Sequence, residues 1–144
     1  MIYLDHSATT PLGIKARKAM HDVMDAIPGN PSSIHAPGRM ARQSLNHSRE
    51  RLANILNIKP ESVIFTGSGS EANNLALKGF LLDRLGLASH VIVTSMEHPS
   101  TLNCLRSMTQ MYPDISLSEI NPGPDGKMRP QSIAEAIQPD TCLI

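Results

Sequence analysis

The residues best suited to chemistry form a loop of glycine and serine (Thr-Gly-Ser-Gly-Ser) at positions 66–70. An apolar run at 63–65 precedes it with the character of a buried strand, and Leu75 and Phe80 continue after it on a helical face. Glycines let backbone N–H groups approach a ligand closely, and the N–H groups at a helix N-terminus favour an anion, most often a phosphate. The structural alternative is an ordinary strand-to-helix loop in which Ser70 is the N-cap.

A second polar loop, Glu97-His98-Pro99-Ser100, follows the next predicted strand. In an open parallel sheet, ligands bind beyond the carboxyl ends of the strands, which is where both loops would lie. A histidine just past a strand is ordinarily a surface or capping residue. Beside an anion-binding helix end, its imidazole could instead stack on a planar ligand.

The elements that position these loops follow from apolar periodicity and from proline and glycine breakers. The pattern predicts helices at 14–27, 37–56, 70–84, 100–111 and 130–137, and strands at 2–4, 62–66, 90–94, 115–119 and from 141 onward. From residue 62 strands and helices alternate, which is typical of an α/β fold with a parallel sheet covered by helices.

Composition excludes several function classes. The 144 residues carry 13 basic and 13 acidic side chains and only four aromatic ones, so we expect no nucleic-acid partner. No apolar run approaches the roughly 20 residues of a membrane span, and the N-terminus lacks the pattern of a signal peptide. We therefore expect a cytoplasmic protein with no membrane contact.

Cysteines and histidines give no sign of a disulfide or a metal site. Cys104 and Cys142 lie far apart in sequence in a chain expected to be cytoplasmic, and no CxxC or HExxH spacing occurs. Both cysteines are interpreted as small buried apolar groups. His21, His47 and His90 are expected at the surface. Neither the Walker pattern nor GxGxxG is present.

Four segments, at 3–11, 29–39, 65–74 and 97–98, resemble in the same order the cysteine desulfurases, which are pyridoxal 5′-phosphate (PLP) enzymes of the class-V aminotransferase group. The resemblance covers essentially the whole chain. It implies an incomplete PLP-dependent transferase type I fold. Residues 1–13 would be an N-terminal arm that belongs to the small domain, and 14–144 an incomplete PLP-binding large domain.

The resemblance also implies roles for particular residues. Gly69 and Ser70 match the positions that hold the PLP phosphate, and His98 matches the histidine that stacks on the pyridine ring. A further group matches a segment near the active site and dimer interface; its members are Asn30, His35 and Arg39. The loop reads Gly-Ser-Gly-Ser where many relatives have Ser-Gly-Ala/Gly-Thr, a mild change that keeps hydroxyls and flexibility.

The implied function is the N-terminal part of an enzyme that converts L-cysteine to L-alanine and passes on a persulfide sulfur for Fe–S cluster or thio-cofactor synthesis. The implied partners are L-cysteine, a second copy in a homodimer, and a sulfur-acceptor or scaffold protein. Neither cysteine matches the sulfur acceptor, and the family's Schiff-base motif is matched by none of Lys15, Lys59, Lys78 and Lys127. We therefore expect no catalytic residue in this span, incomplete cofactor binding and no activity of the isolated chain.

Two alternatives stay open at the level of sequence. One is a related class-V PLP enzyme, a selenocysteine lyase or a cysteine-sulfinate desulfinase. The other is a non-catalytic remnant that docks on an intact homologue. The resemblance further implies that strand 62–66 would pair with a late strand of the complete fold, so we expect it to lack a neighbour here.

Overall fold

The computed structural model describes residues 2–144. They divide into two compact units, the first ending at Ile64 and the second spanning Phe65–Ile144. Among the described residues, no helix has the length and apolar character that crossing a membrane requires. The assignment of 1–13 to an arm and of 14–144 to a large domain stays a prediction.

The first unit contains two helices, α1 (Ile14–Ala26) and α2 (Ala36–Leu56), followed by a 3-10 turn at Pro60–Ser62. These bounds confirm the helices predicted from the apolar periodicity. α2 ends at Asn57, whose left-handed backbone (φ 54°) closes the helix. The turn packs on α2, where Ala53 is fully buried and the Arg49 guanidinium donates to the Val63 carbonyl at 3.3 Å.

Two predicted strands are not formed. Residues 2–4 and 62–66 lie in no strand; Ser62 instead ends the 3-10 turn, and Val63 has an extended backbone (φ −90°, ψ 117°). An extended segment becomes a strand only when a neighbour pairs with its N–H and C=O groups. The strand predictions at 2–4 and 62–66 were therefore wrong, and among residues 2–144 the segment 62–66 pairs with no strand.

The second unit is a parallel three-stranded sheet with helices. Its elements are α3 (Gly69–Leu82), β1 (Ser89–Thr94), α4 (Pro99–Met111), β2 (Ile115–Ile120), α5 (Pro130–Ala136) and β3 (Thr141–Leu143). The strand order is β2-β1-β3, with Val91 opposite Leu117 on one side and opposite Leu143 on the other. The α/β prediction and the parallel sheet are confirmed.

The core of this unit lies between the sheet and the helices α3 and α4. Leu81, Val91 and Met108 are each no more than 1 % exposed, and they pack with Leu105 and Ile115. Each element therefore buries its apolar face against another element, which is what stabilises a layered domain.

A charged contact also joins α4 to β2. Arg106 donates two hydrogen bonds to the Glu119 carboxylate at 2.7 and 2.6 Å, and these bonds hold the pKa of Glu119 below its ordinary value.

His90, expected at the surface, lies on the central strand β1 and is only 1 % exposed. Its imidazole bonds to the strands on both sides. Its Nδ1 lies 2.8 Å from the Thr141 hydroxyl on β3, and its Nε2 lies 2.9 Å from the Ser118 hydroxyl on β2. The Gln138 amide nitrogen is 3.3 Å from the same Nε2. The surface prediction was wrong because both ring nitrogens find hydroxyl partners on neighbouring strands, which removes the cost of burying a polar ring.

Replacing His90 by alanine is expected to lower the free energy of unfolding of this unit by about 2–4 kcal/mol, because it leaves a cavity and two hydroxyls without their partner. Hydrogen exchange of the β1 amides measures this value directly. His47→Ala, which changes an exposed histidine, should stay within about 0.5 kcal/mol. Equal protection in the two variants would contradict the bridging role of His90.

Candidate functional site

The N-terminus of α3 is capped by Ser68, and the Glu71 carboxylate reaches back to the residue before the cap. The Ser68 hydroxyl accepts from the Glu71 N–H at 3.1 Å, and the Glu71 carboxylate accepts from the Gly67 N–H at 2.7 Å. The alternative interpretation of Ser70 as the N-cap is therefore wrong. Glu71 occupies the third helical position after Ser68, which is the spacing that a capping box requires.

Three donors on the first two residues of α3 have no protein partner within the described chain. Gly69 and Ser70 are the first two residues of α3, and across residues 2–144 no acceptor engages their N–H groups or the Ser70 hydroxyl. A side chain built at Gly69 would meet no atom within 4 Å, so the approach to this helix end is open. Two N–H groups at the positive end of a helix, with one hydroxyl beside them, are suited to bind an anion.

His98 is the N-cap of α4, immediately after the turn that follows β1. Its Nδ1 accepts from the Ser100 N–H at 3.1 Å and lies 2.8 Å from the Ser100 hydroxyl. Because Nδ1 serves as an acceptor, the neutral ring carries its proton on Nε2. Pro99 occupies the first turn of α4, as the sequence predicts.

Two asparagines of α3 hold the helix ends together. Asn73 donates from Nδ2 to the Ser100 hydroxyl at 2.9 Å and lies 3.3 Å from the Thr101 hydroxyl. Asn74 donates to the Ser70 carbonyl of its own helix at 2.9 Å and to the Ser100 carbonyl of α4 at 3.5 Å. The predicted residues Gly69, Ser70 and His98 thereby line one cleft of about 280 Å³. Its other lining residues are Ser68, Asn73 and Ser100.

Sequence reasoning missed the roles of Asn73, Ser100 and Thr101. The available signal was the amide pair 73–74 on the first turns of a helix, together with hydroxyl residues just after a predicted N-terminus.

The other three predicted residues lie in the first unit, around the start of α2. His35 is the N-cap of α2 and accepts from the Gly38 N–H at 3.3 Å; Arg39 donates to the Ile34 carbonyl at 2.6 Å. The Asn30 side chain accepts from the Ser32 N–H at 2.8 Å. Each of these contacts orders the turn that leads into α2, and an active-site role for Asn30, His35 and Arg39 stays a prediction.

Neither cysteine is arranged as a reactive nucleophile. Both are free thiols in the structure. Burial raises the pKa of the Cys104 thiol, and the charge of Lys78 lowers it to a smaller extent. A thiol with a raised pKa is a poor source of the thiolate that attacks a substrate. Cys142 is half-buried, and its thiol donates to the His90 carbonyl at 3.5 Å.

The fold and the cleft together define an α/β protein with an open helix N-terminus beside the carboxyl end of its central strand. The family model described as aminotransferase class-V matches residues 2–144, and the chain belongs to that family. Among similar proteins are a putative cysteine desulfurase IscS 1 of Bacillus subtilis, 34 % identical over 99 % of this chain, and an IscS-like cysteine desulfurase of Mycobacterium tuberculosis, 36 % identical over 96 %. The chain spans 37 % and 35 % of the lengths of these two relatives.

Solved structures show the same relation. SspA in complex with cysteine superposes with a TM-score of 0.80 at 31 % identity, over 96 % of this chain and 40 % of that one. DndA from Streptomyces lividans superposes with a TM-score of 0.70 at 29 % identity, over 99 % of this chain and 40 % of that one. The predicted resemblance and the incomplete α/β fold are both confirmed.

Substitution can test that Ser68, and not Ser70, is the N-cap of α3. Ser68→Ala should lower the free energy of unfolding by about 1 kcal/mol, because it removes the N-cap acceptor of α3. Ser70→Ala should change it by less than about 0.5 kcal/mol, since its hydroxyl has no protein partner in the described chain. Urea unfolding of the ligand-free protein makes the comparison. The reverse order of the two losses would restore Ser70 as the cap.

Proposed function

We propose that this chain is the N-terminal part of a PLP-dependent cysteine desulfurase, whose product is L-alanine and whose sulfur leaves as an enzyme-bound persulfide. The observation that carries the proposal is the cleft in which Gly69, Ser70 and His98 meet, at the positions where the sequence resembles that family. The relatives described as cysteine desulfurases and the SspA complex with cysteine support L-cysteine as the substrate.

The residues of the cleft fit the cofactor at both of its ends. The N–H groups of Gly69 and Ser70 and the Ser70 hydroxyl would hold the phosphate, whose charge the helix end favours. The open space at Gly69 allows that approach. The His98 ring would cover one face of the pyridine. When bound, PLP supplies an electron sink for reactions at the substrate amine.

Other parts of the proposal follow the family. Residues 1–13 would join the small domain, and 14–144 would form part of the large, PLP-binding domain. The protein would act in the cytoplasm as a homodimer and transfer sulfur to an acceptor or scaffold protein. The chain's own contribution is binding and orientation of the cofactor, and no residue of the span is assigned a bond-breaking step.

Phosphate recognition can be tested with a cofactor analogue that lacks the reactive aldehyde group of PLP. Pyridoxine 5′-phosphate should bind and raise the melting temperature, whereas pyridoxine, which lacks the phosphate, should not. Ser70→Ala should lower the affinity for pyridoxine 5′-phosphate about 10- to 100-fold, which is the range of one hydrogen bond to a charged group. Equilibrium dialysis gives the affinities.

The matched control is Ser107→Ala, a serine on α4 about two turns beyond Ser100. It should leave the affinity unchanged. Equal binding of pyridoxine and its phosphate, or equal losses in both variants, would contradict the assignment of the phosphate site.

Activity is tested with the native protein purified from its own cells, supplied with PLP and dithiothreitol. L-Cysteine should yield alanine and sulfide in equal amounts, faster than L-selenocysteine or cysteine sulfinate yields alanine. The 144-residue chain alone should release no alanine above free PLP, because none of its lysines matches the family's Schiff-base motif. Faster turnover of L-selenocysteine would favour a selenocysteine lyase, and faster turnover of cysteine sulfinate would favour a cysteine-sulfinate desulfinase. No turnover of any of the three would favour the non-catalytic alternative.

A further inference from the structure

A chain of hydrogen bonds runs from α3 to the imidazole of His98. The Asn73 amide nitrogen lies 2.9 Å from the Ser100 hydroxyl oxygen, and that oxygen lies 2.8 Å from His98 Nδ1. The Ser100 backbone N–H reaches the same ring nitrogen at 3.1 Å. Asn73 and Ser100 are half-buried, whereas His98 is exposed, so the support is better shielded from water than the ring it supports.

The direction of each bond follows from the chemistry of the groups. An amide nitrogen can only donate, so the Ser100 oxygen accepts from Asn73. The Ser100 hydroxyl proton is then available for His98 Nδ1, which also receives the Ser100 backbone N–H. With two donors directed at it, Nδ1 is fixed as an acceptor, and the neutral ring holds its proton on Nε2. A ring bonded in this way is restricted in both its tautomer and its rotation.

We propose that Asn73 and Ser100 are positioning residues for His98: they fix the plane and the Nε2–H tautomer of its imidazole in the cleft. The inference rests on the proposed function for its purpose, since a ring that is to cover a planar cofactor binds more tightly when its orientation is set beforehand. Its geometry stands on the described contacts alone. The phosphate end of the cleft, at Gly69 and Ser70, is not part of this chain of bonds.

The first test needs no ligand. Long-range ¹H–¹⁵N spectra of the histidine rings distinguish the Nε2–H from the Nδ1–H tautomer, and His98→Gln assigns the signal. In the unchanged protein His98 should give the Nε2–H pattern alone. Ser100→Ala and Asn73→Ala keep the Ser100 backbone N–H as a donor to Nδ1, so the Nε2–H pattern should stay the major one but gain exchange broadening and a minor Nδ1–H component. Ser100→Thr, which keeps the hydroxyl, should retain the original pattern. An unchanged pattern in Ser100→Ala would overturn the proposal.

The second test separates positioning from general loosening. Ser100→Ala and Asn73→Ala should each lower the affinity for pyridoxine 5′-phosphate about 3- to 10-fold, which is the range of one neutral hydrogen bond. Both variants should leave the affinity for inorganic phosphate unchanged. Ser107→Ala is the control and should alter neither. Parallel losses of both ligands would overturn the proposal, because they would mean that the whole helix end has moved.

The two proposals fail in different ways. If the unchanged protein binds neither phosphate ligand, the proposed cofactor site is wrong, and the tautomer spectra alone decide whether Asn73 and Ser100 position His98. If the phosphate ester binds but the variants retain the Nε2–H pattern alone and full affinity, the cofactor site stands and the positioning role is refuted.

Discussion

The parallel pairing of β1 with a neighbour on each side is the constraint on which the second unit depends. β2 pairs with β1 along its whole length and β3 pairs with its first half at His90 and Val91, while the apolar side chains of β1 pack against the helices. The strand then ends at Thr94, and the chain turns directly into the N-cap of α4. The position of His98 is therefore set by where the buried strand β1 ends. The side-chain bridge from His90 to both neighbouring strands strengthens the same pairing.

The site follows from how the two helix ends satisfy their N–H groups. Every α-helix begins with donors that have no partner within the helix. Ser68 and Glu71 close part of the α3 end, and what remains free is the pair at Gly69 and Ser70. At α4 the same requirement is met by an imidazole instead of a hydroxyl, so capping and ring orientation are achieved by one group.

Much of this could be predicted from the sequence because it is local. Helix α2, the strands β1 and β2 and the polar loops after 66 and 94 each depend on periodicity or on glycine and proline within a few residues. The segment 62–66 could not be predicted in the same way. Its residues have the composition of a strand, yet a strand exists only with a partner, and pairing is not encoded in the segment itself.

The prediction that His90 lies at the surface was wrong for a related reason. Within its own strand it is a polar residue that begins an apolar run, and no neighbour in sequence accounts for its burial. Its partners lie 28 and 51 positions further along the chain, at Ser118 and Thr141. The bond between Asn73 and Ser100 spans 27 positions and was missed likewise. Contacts of this kind depend on register and helix packing, which only the assembled fold defines.

The proposed cofactor site would need only a span that covers about two fifths of the SspA and DndA structures. The phosphate end needs only one helix N-terminus, and the ring face needs only one histidine whose orientation is fixed. Both are supplied by elements that β1, α3 and α4 hold in a single packed unit. Bond breaking at a substrate requires, in addition, an amine and a thiolate placed against the ring, and Cys104 is unsuited to that role because burial raises its pKa. Under the proposed function, therefore, holding the cofactor and performing the reaction would fall to different segments of the fold, and Gly69, Ser70 and His98 would belong to the first task.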